Sequence, residues 1–260
     1  MTPRRRALAD GLRLAVGTLT AFPVGAPTVA DRSAARIAMI AAPVAVLPVA
    51  VAAGLVGSIA TLALLPPLVV AVLVVGCFAL GSRALHLDGL ADTADGLTAS
   101  YDKARALEIM RRGNVGPAGV ATLVLTVALQ TGALAAVVAR PWGVLTGVVL
   151  LDLARCSLLI TCAAGIPAAR PGGLGALVAG VVPRGAGWIG AVLAIGVACG
   201  AMALSQRPWW QGAAAVLLAA IVVGGLVVRC CRRFGGVTGD VLGAGIEVAA
   251  AALLVAAAAG

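Results

Sequence analysis

Long apolar runs govern everything else about this chain: residues 37–65, 68–82, 115–139, 142–165, 186–204, 209–228 and 241–259 carry almost no charge. A membrane-crossing helix needs about 20 such residues. All but the second run reach or nearly reach that length, and the second reads as short, continuing into the polar segment that follows it. Only 11% of the 260 residues are charged and 62% are hydrophobic, against about 25% charged in soluble domains. Such a chain cannot cover a globular surface, and it lacks the charge of a disordered segment or a coiled coil. Its six cysteines include no C-x-x-C pair and there is one histidine, His86, so neither a disulfide scaffold nor a zinc ligand set is present. What remains is an all-α polytopic integral membrane protein of about seven transmembrane helices, a single membrane-embedded domain over 1–260. Pro43, Pro48 and Gly54 predict a kink in the first span, as membrane helices tolerate.

The charges orient these spans. A net charge of +9 would hint at nucleic acid in a soluble protein, but only 3% of residues are aromatic, too few for base stacking, so no nucleic-acid partner is expected. Basic residues instead mark cytoplasmic loops. With a cytoplasmic N-terminus, of the 19 Lys and Arg only Arg140 and Arg207 fall outside and only Arg155 lies within a span. No acid falls outside, and only Asp152 and Glu247 are embedded. The polar chemistry is thus expected at the cytoplasmic face of the membrane. Segment 1–36 reads as cytoplasmic or interfacial. Three arginines before an apolar run resemble an export signal, but Asp10 and Arg13 interrupt that run. An interfacial helix fits better, with Leu8, Leu12 and Leu19 toward lipid and Arg4, Arg5, Arg6 and Arg13 near headgroups.

The acidic segment 83–114 is the expected active-site segment. In "RALHLDGLADTADGL", residues 83–97, Asp88, Asp92 and Asp95 stand four and three apart, on one face of a helix. Carboxylates so close repel one another, and the flanking leucines argue against a merely solvated face. A cation resolves the conflict; an all-oxygen set favours a hard ion such as Mg²⁺, with phosphate and water completing its shell. The competing readings are a loop with incidental acids and an ion pathway, the latter disfavoured because transporters carry such groups at the midplane. Downstream, Glu108 is at pairing distance from Arg111 or Arg112, while Lys103 and Arg111 are either phosphate-binding or simple anchors. Asp152 and Arg155, embedded and three apart, are expected to pair, with Arg155 either structural or reaching a substrate phosphate. Asp240 either caps the last helix or, with Glu247 two turns on, forms a second wall of the same cavity. The glycines of "RPGGLG", 170–175, are a weak phosphate-loop signal.

Three segments carry a resemblance. "LHLDGLADTADGL" at 85–97, "LEIMRRGNVGPAGV" at 107–120 and "GGVTGDVLGAGIE" at 235–247 resemble the signatures of the bacterial cobalamin synthase family, the adenosylcobinamide-GDP ribazoletransferases. The resemblance implies an Mg²⁺-dependent inner-membrane enzyme late in coenzyme B12 assembly. Its substrates would be adenosylcobinamide-GDP and α-ribazole or its 5′-phosphate, with GMP released. It implies metal binding by Asp88, Asp92 and Asp95, a catalytic part for Asp95 and for His86 as base or hydrogen-bond partner, and substrate contacts from Lys103, Arg111, Asn114, Arg155, Asp240 and Glu247. One departure stands out: members usually carry an acid where this chain has Asn114, whose amide can ligate a cation but brings no charge. A CDP-alcohol-type phosphotransferase is the alternative enzyme, though Leu90 and Ala91 follow the first Asp-Gly where that pattern has Ala-Arg. A Mg²⁺ transporter or channel is the alternative from another class. Small-xxx-small pairs fit internal packing as well as a homo-oligomer.

Overall fold

The computed structural model describes residues 3–99 and 101–259; the side chains of residues 3 and 4, including the Arg4 assigned above to headgroups, lie outside the described residues. Among these residues the chain is all helical, with two isolated parallel bridges, Ala163 to Val182 and Ala168 to Val237, and no strand. The elements are α1 (Pro3–Leu19), α2 (Arg32–Ile40), α3 (Ala42–Leu62), α4 (Pro67–Gly81), α5 (Leu85–Ala99), α6 (Lys103–Arg112) and α7 (Pro117–Val138). Then come α8 (Gly143–Leu153), a 3-10 turn (Ala154–Ser157), α9 (Leu158–Thr161), α10 (Gly173–Val178), α11 (Arg184–Leu204), α12 (Trp210–Phe234) and α13 (Gly239–Ala258). Six helical stretches are long and apolar enough to cross a membrane, or seven if α4 and α5 count as one span.

At the centre lies α13, packed against α5, α7, α12 and the 3-10 turn after α8. Its glycines and alanines admit close neighbours. Around it, α3, α7, α11 and α12 expose Val51, Leu55, Leu125, Ile189, Val192 and Ile221, a surface that only lipid covers without penalty. The chain is a multi-pass membrane protein.

Three expectations are refined by the backbone. The kink in the first span is a break at Ala41, because Pro43 lacks the N–H that would continue α2 and instead sits in the first turn of α3. The second span does not run straight into the acidic segment: α4 and α5 meet at 86°. Arg83 and Ala84 make this corner with φ of 56° and 57°, left-handed values costly for residues with a Cβ. Arg83 anchors it by donating to Gly17 O at 2.8 Å. Third, α12 extends past Val228 to Phe234, so Arg229, Arg232 and Arg233 ride on its C-terminal turns. The N-terminal helix exposes Leu8, Leu12 and Arg13, but Leu19, expected toward lipid, is buried in the core.

Candidate active site

Two glycines bring the acidic helix onto the last helix. A Cβ at Gly89 would stand 2.6 Å from Asp240 O, and one at Gly243 would stand 3.0 Å from His86 Cα. Backbone therefore meets backbone, and Asp88 of α5 and Asp240 of α13 line one cavity of about 270 Å³ together with His86. Asp92, buried one turn beyond Asp88, lies within electrostatic reach of Asp88, Asp240 and Asp95. The cap of α13 is Thr238, whose hydroxyl accepts from Val241 N at 3.3 Å. This leaves Asp240 in the first turn free of the capping role and on the cavity wall, where its Oδ2 accepts from Thr238 Oγ1 at 3.0 Å and lies 3.9 Å from Arg170.

Arg170 was not singled out by the sequence. A short parallel pairing places it: Val237 N donates to Pro167 O at 2.9 Å and Ala169 N to Val237 O at 3.0 Å. Arg32 and Arg36 of α2 brace the same 163–182 segment by donating to Ala179 O and Val181 O. The signal available was the "RPGGLG" stretch, where the cation rather than the glycines reaches the cavity.

Asp95 points elsewhere. Its carboxylate accepts from Gly116 N at 2.6 Å and Gly119 N at 2.8 Å, so it satisfies two of the orphan N–H groups at the start of α7 and complements that helix's dipole. A Cβ at either glycine would collide with it. The three aspartates thus share a helix face, but Asp88 lines the cavity, Asp92 is buried one turn beyond it and Asp95 is bound to α7.

Behind His86 lies a buried polar cluster. Glu247 Oε1 is 4.0 Å from His86 Nδ1, and Gln130 of α7 donates to Glu247 Oε2 at 2.9 Å and to its carbonyl at 3.1 Å. Gln130 is the lone amide within the apolar run 115–139, a polar residue whose cost inside a span itself signals a partner. Arg155 does not pair with Asp152 as anticipated. It donates to Leu151 O at 2.5 Å and stacks 4.8 Å from the Phe78 ring centre, while Asp152 Oδ1 has no hydrogen-bond partner. Lys103, Arg111 and Asn114 are exposed and do not line this cavity. Lys103 lies over Gly235 at the end of α12, and Arg112, rather than Arg111, pairs with Glu108 at 2.6 Å.

A family model described as cobalamin-5-phosphate synthase matches residues 11–258. The chain belongs to this family. Relatives of the cobalamin-5-phosphate synthase family similar to it include proteins named adenosylcobinamide-GDP ribazoletransferase. One, from a Nocardioides species, is 47% identical over 95% of this chain and 97% of its own length. Others come from Bradyrhizobium diazoefficiens, 39% identical over 92% and 89%, and Frankia casuarinae, 37% identical over 93% and 92%. No solved structure matches the chain. The resemblance carried by the three signature segments is borne out.

Asp88 and Asp240 give the largely apolar cavity carboxylate oxygens, the donor type a hard divalent cation takes. Among the described residues no three His, Cys, Asp or Glu side chains converge as an all-protein cage. The arrangement fits the other mode, in which Mg²⁺ takes one or two carboxylates and completes its shell from phosphate oxygens and water.

Proposed function

We propose that this chain is an adenosylcobinamide-GDP ribazoletransferase that transfers the adenosylcobinamide phosphoryl group to α-ribazole or its 5′-phosphate and releases GMP. The observation that carries this reading is the meeting of Asp88, Asp240 and Arg170 at one cavity, with Asp92 in reach, in a chain whose relatives bear that name across nearly their full length. An acidic pair beside one cation suits a diphosphate held with Mg²⁺. Asp88, Asp92 and Asp240 would hold the ion, which when bound neutralises charge on the transferring phosphoryl group.

The residues of the chain then do the positioning. Arg170 binds diphosphate oxygens in place of Asp240, as guanidinium groups favour. The acceptor 3′-hydroxyl attacks the phosphorus on the cobinamide side, and the bond from that phosphorus to the GMP oxygen breaks. GMP leaves as a phosphate with second pKa near 6, so the leaving group needs no acid. His86, as base or as hydrogen-bond partner, meets the hydroxyl, and Asp95 fixes α5 against α7. Arg170 lies at this cavity beside the first turn of α13, whereas Arg140 and Arg207 reach the opposite, C-terminal end of α13 through Ala257 O and Ala259 O. This division supports a cytoplasmic active site in the inner membrane.

Purified protein supplied with adenosylcobinamide-GDP, α-ribazole and Mg²⁺ should release GMP, and Asp92→Asn should lose most of that turnover. Unchanged turnover and Mg²⁺ dependence in Asp92→Asn would refute the assignment.

A further inference from the structure

We infer that the 270 Å³ cavity is the acceptor-nucleoside site, with the aromatic base of α-ribazole against its apolar wall and the ribose toward Asp88 and Asp240. The inference rests on the ribazoletransferase reading and names where one of its two substrates lies. Size is the first argument. The cavity lies at the small end of ligand pockets, with room for one nucleoside and none for a corrin macrocycle. Asp88 also lines a second space, a groove of about 820 Å³ between α4, α5 and α7. Two spaces of unequal size therefore meet at one carboxylate, and the smaller substrate belongs in the smaller space.

Wall chemistry is the second argument. Leu19, Met39, Leu158, Leu174, Leu242 and Ile246 line the cavity, and Met39 supplies a thioether of the kind that packs well on aromatic rings. A dimethylbenzimidazole base is flat, apolar at its methylated edge and carries one free ring nitrogen that only accepts. Guanine, the other base in the reaction, presents several donors and an acceptor along one edge, and these apolar walls would leave them unpaired at a cost.

The third argument is His86. It is only 4% exposed, it lines the cavity, and both of its ring nitrogens lack a hydrogen-bond partner. A neutral imidazole must donate from one nitrogen, and buried donors are normally satisfied. A nucleoside seated here offers the missing acceptor, through its free ring nitrogen or a ribose oxygen.

Leu174 is the residue to test, because it lies on the short α10, is only partly buried and borders the cavity. Binding of α-ribazole to the full-length protein is followed by benzimidazole fluorescence in detergent, without the corrinoid substrate. Leu174→Phe should weaken binding about tenfold or more, and a benzimidazole riboside lacking the two methyl groups should recover much of the loss. If Leu174→Phe fails to fold, Leu174→Ala should weaken α-ribazole binding while improving that of a riboside with a bulkier base. Unchanged α-ribazole binding in the folded variants would overturn the inference, as would displacement of α-ribazole by GMP with the same sensitivity to position 174. In the turnover assay the acceptor KM should rise while that of adenosylcobinamide-GDP holds. A wild-type chain that binds α-ribazole at this site yet never releases GMP would instead sink the proposed reaction and leave the nucleoside site standing.

Discussion

Adding one methyl group at Gly89 perturbs the point where the two acidic helices touch. The new Cβ would stand 2.6 Å from Asp240 O and 3.0 Å from Asp240 Cα. Both are backbone atoms, so no side chain can swing away. Reaching an ordinary contact of 3.4 Å requires α5 to move from α13 by about 0.8 Å, carrying Asp88 with it. Displacements near 1 Å in a catalytic arrangement cost about a hundredfold in rate. Overpacking costs about 1–3 kcal/mol, partly offset by the roughly 1 kcal/mol helix preference of alanine over glycine, so Gly89→Ala should still fold. We expect kcat for GMP release to fall roughly 30- to 100-fold with a small change in melting temperature. Gly243→Ala, whose Cβ would meet His86 Cα at 3.0 Å, needs about half that movement and should lose only a few-fold. Gly54→Ala, with nothing within 4 Å, should match the wild type. A Gly89→Ala enzyme with wild-type kcat would show that the spacing of α5 and α13 does not set the chemistry.

Other outcomes follow from the same geometry. Asp95→Asn leaves one carbonyl acceptor for two backbone donors and sets its amide against the second, so stability should drop by about 1.5–3 kcal/mol, read as a lower thermal midpoint; an unchanged midpoint contradicts the clamp on α7. Arg170→Ala should raise the KM for adenosylcobinamide-GDP about tenfold, and steady-state kinetics with an unaltered KM would remove Arg170 from diphosphate binding. Asp10 accepts from Thr28 N at 2.8 Å and Val29 N at 3.3 Å, and the Thr28 N–H in particular holds its carboxyl below the ordinary value. That depressed value stabilises the fold above about pH 4 and the benefit is lost as pH falls through it. The melting-temperature gap between wild type and Asp10→Asn should therefore be full at pH 7 and close in acid.

The membrane spans were legible because apolar length is a one-dimensional property: every long run is helical, although 37–65 breaks at Ala41 and 142–165 passes through a 3-10 turn. The corner at Arg83 and Ala84 was not, since neither residue announces a left-handed backbone; the bend is imposed by packing α5 across α13. Aspartate spacing placed Asp88, Asp92 and Asp95 on one face, but a shared face does not imply a shared target. The separation came from Gly116 and Gly119, more than 20 residues away in sequence, which no local pattern connects to Asp95. Arg155 likewise turned from Asp152, its guanidinium resting over the Phe78 ring of α4, far away in sequence.

These misses share a cause that bears on the chemistry. Inside a membrane bundle every buried polar group must find a partner from the protein, and most of those found here are distant in sequence: α7 amides for Asp95, Gln130 for Glu247, the 166–172 loop for Asp240. At the cavity Asp88 opens to solvent, and His86 is the buried polar side chain with both nitrogens unmet. A site whose fixed groups are satisfied by tertiary contacts keeps its shape without substrate. The group left unsatisfied is then the one for which a ligand supplies the partner, so His86→Phe should weaken acceptor binding while raising, or leaving intact, the thermal midpoint of the ligand-free protein. A loss of stability without any loss of acceptor affinity would make His86 part of the scaffold instead.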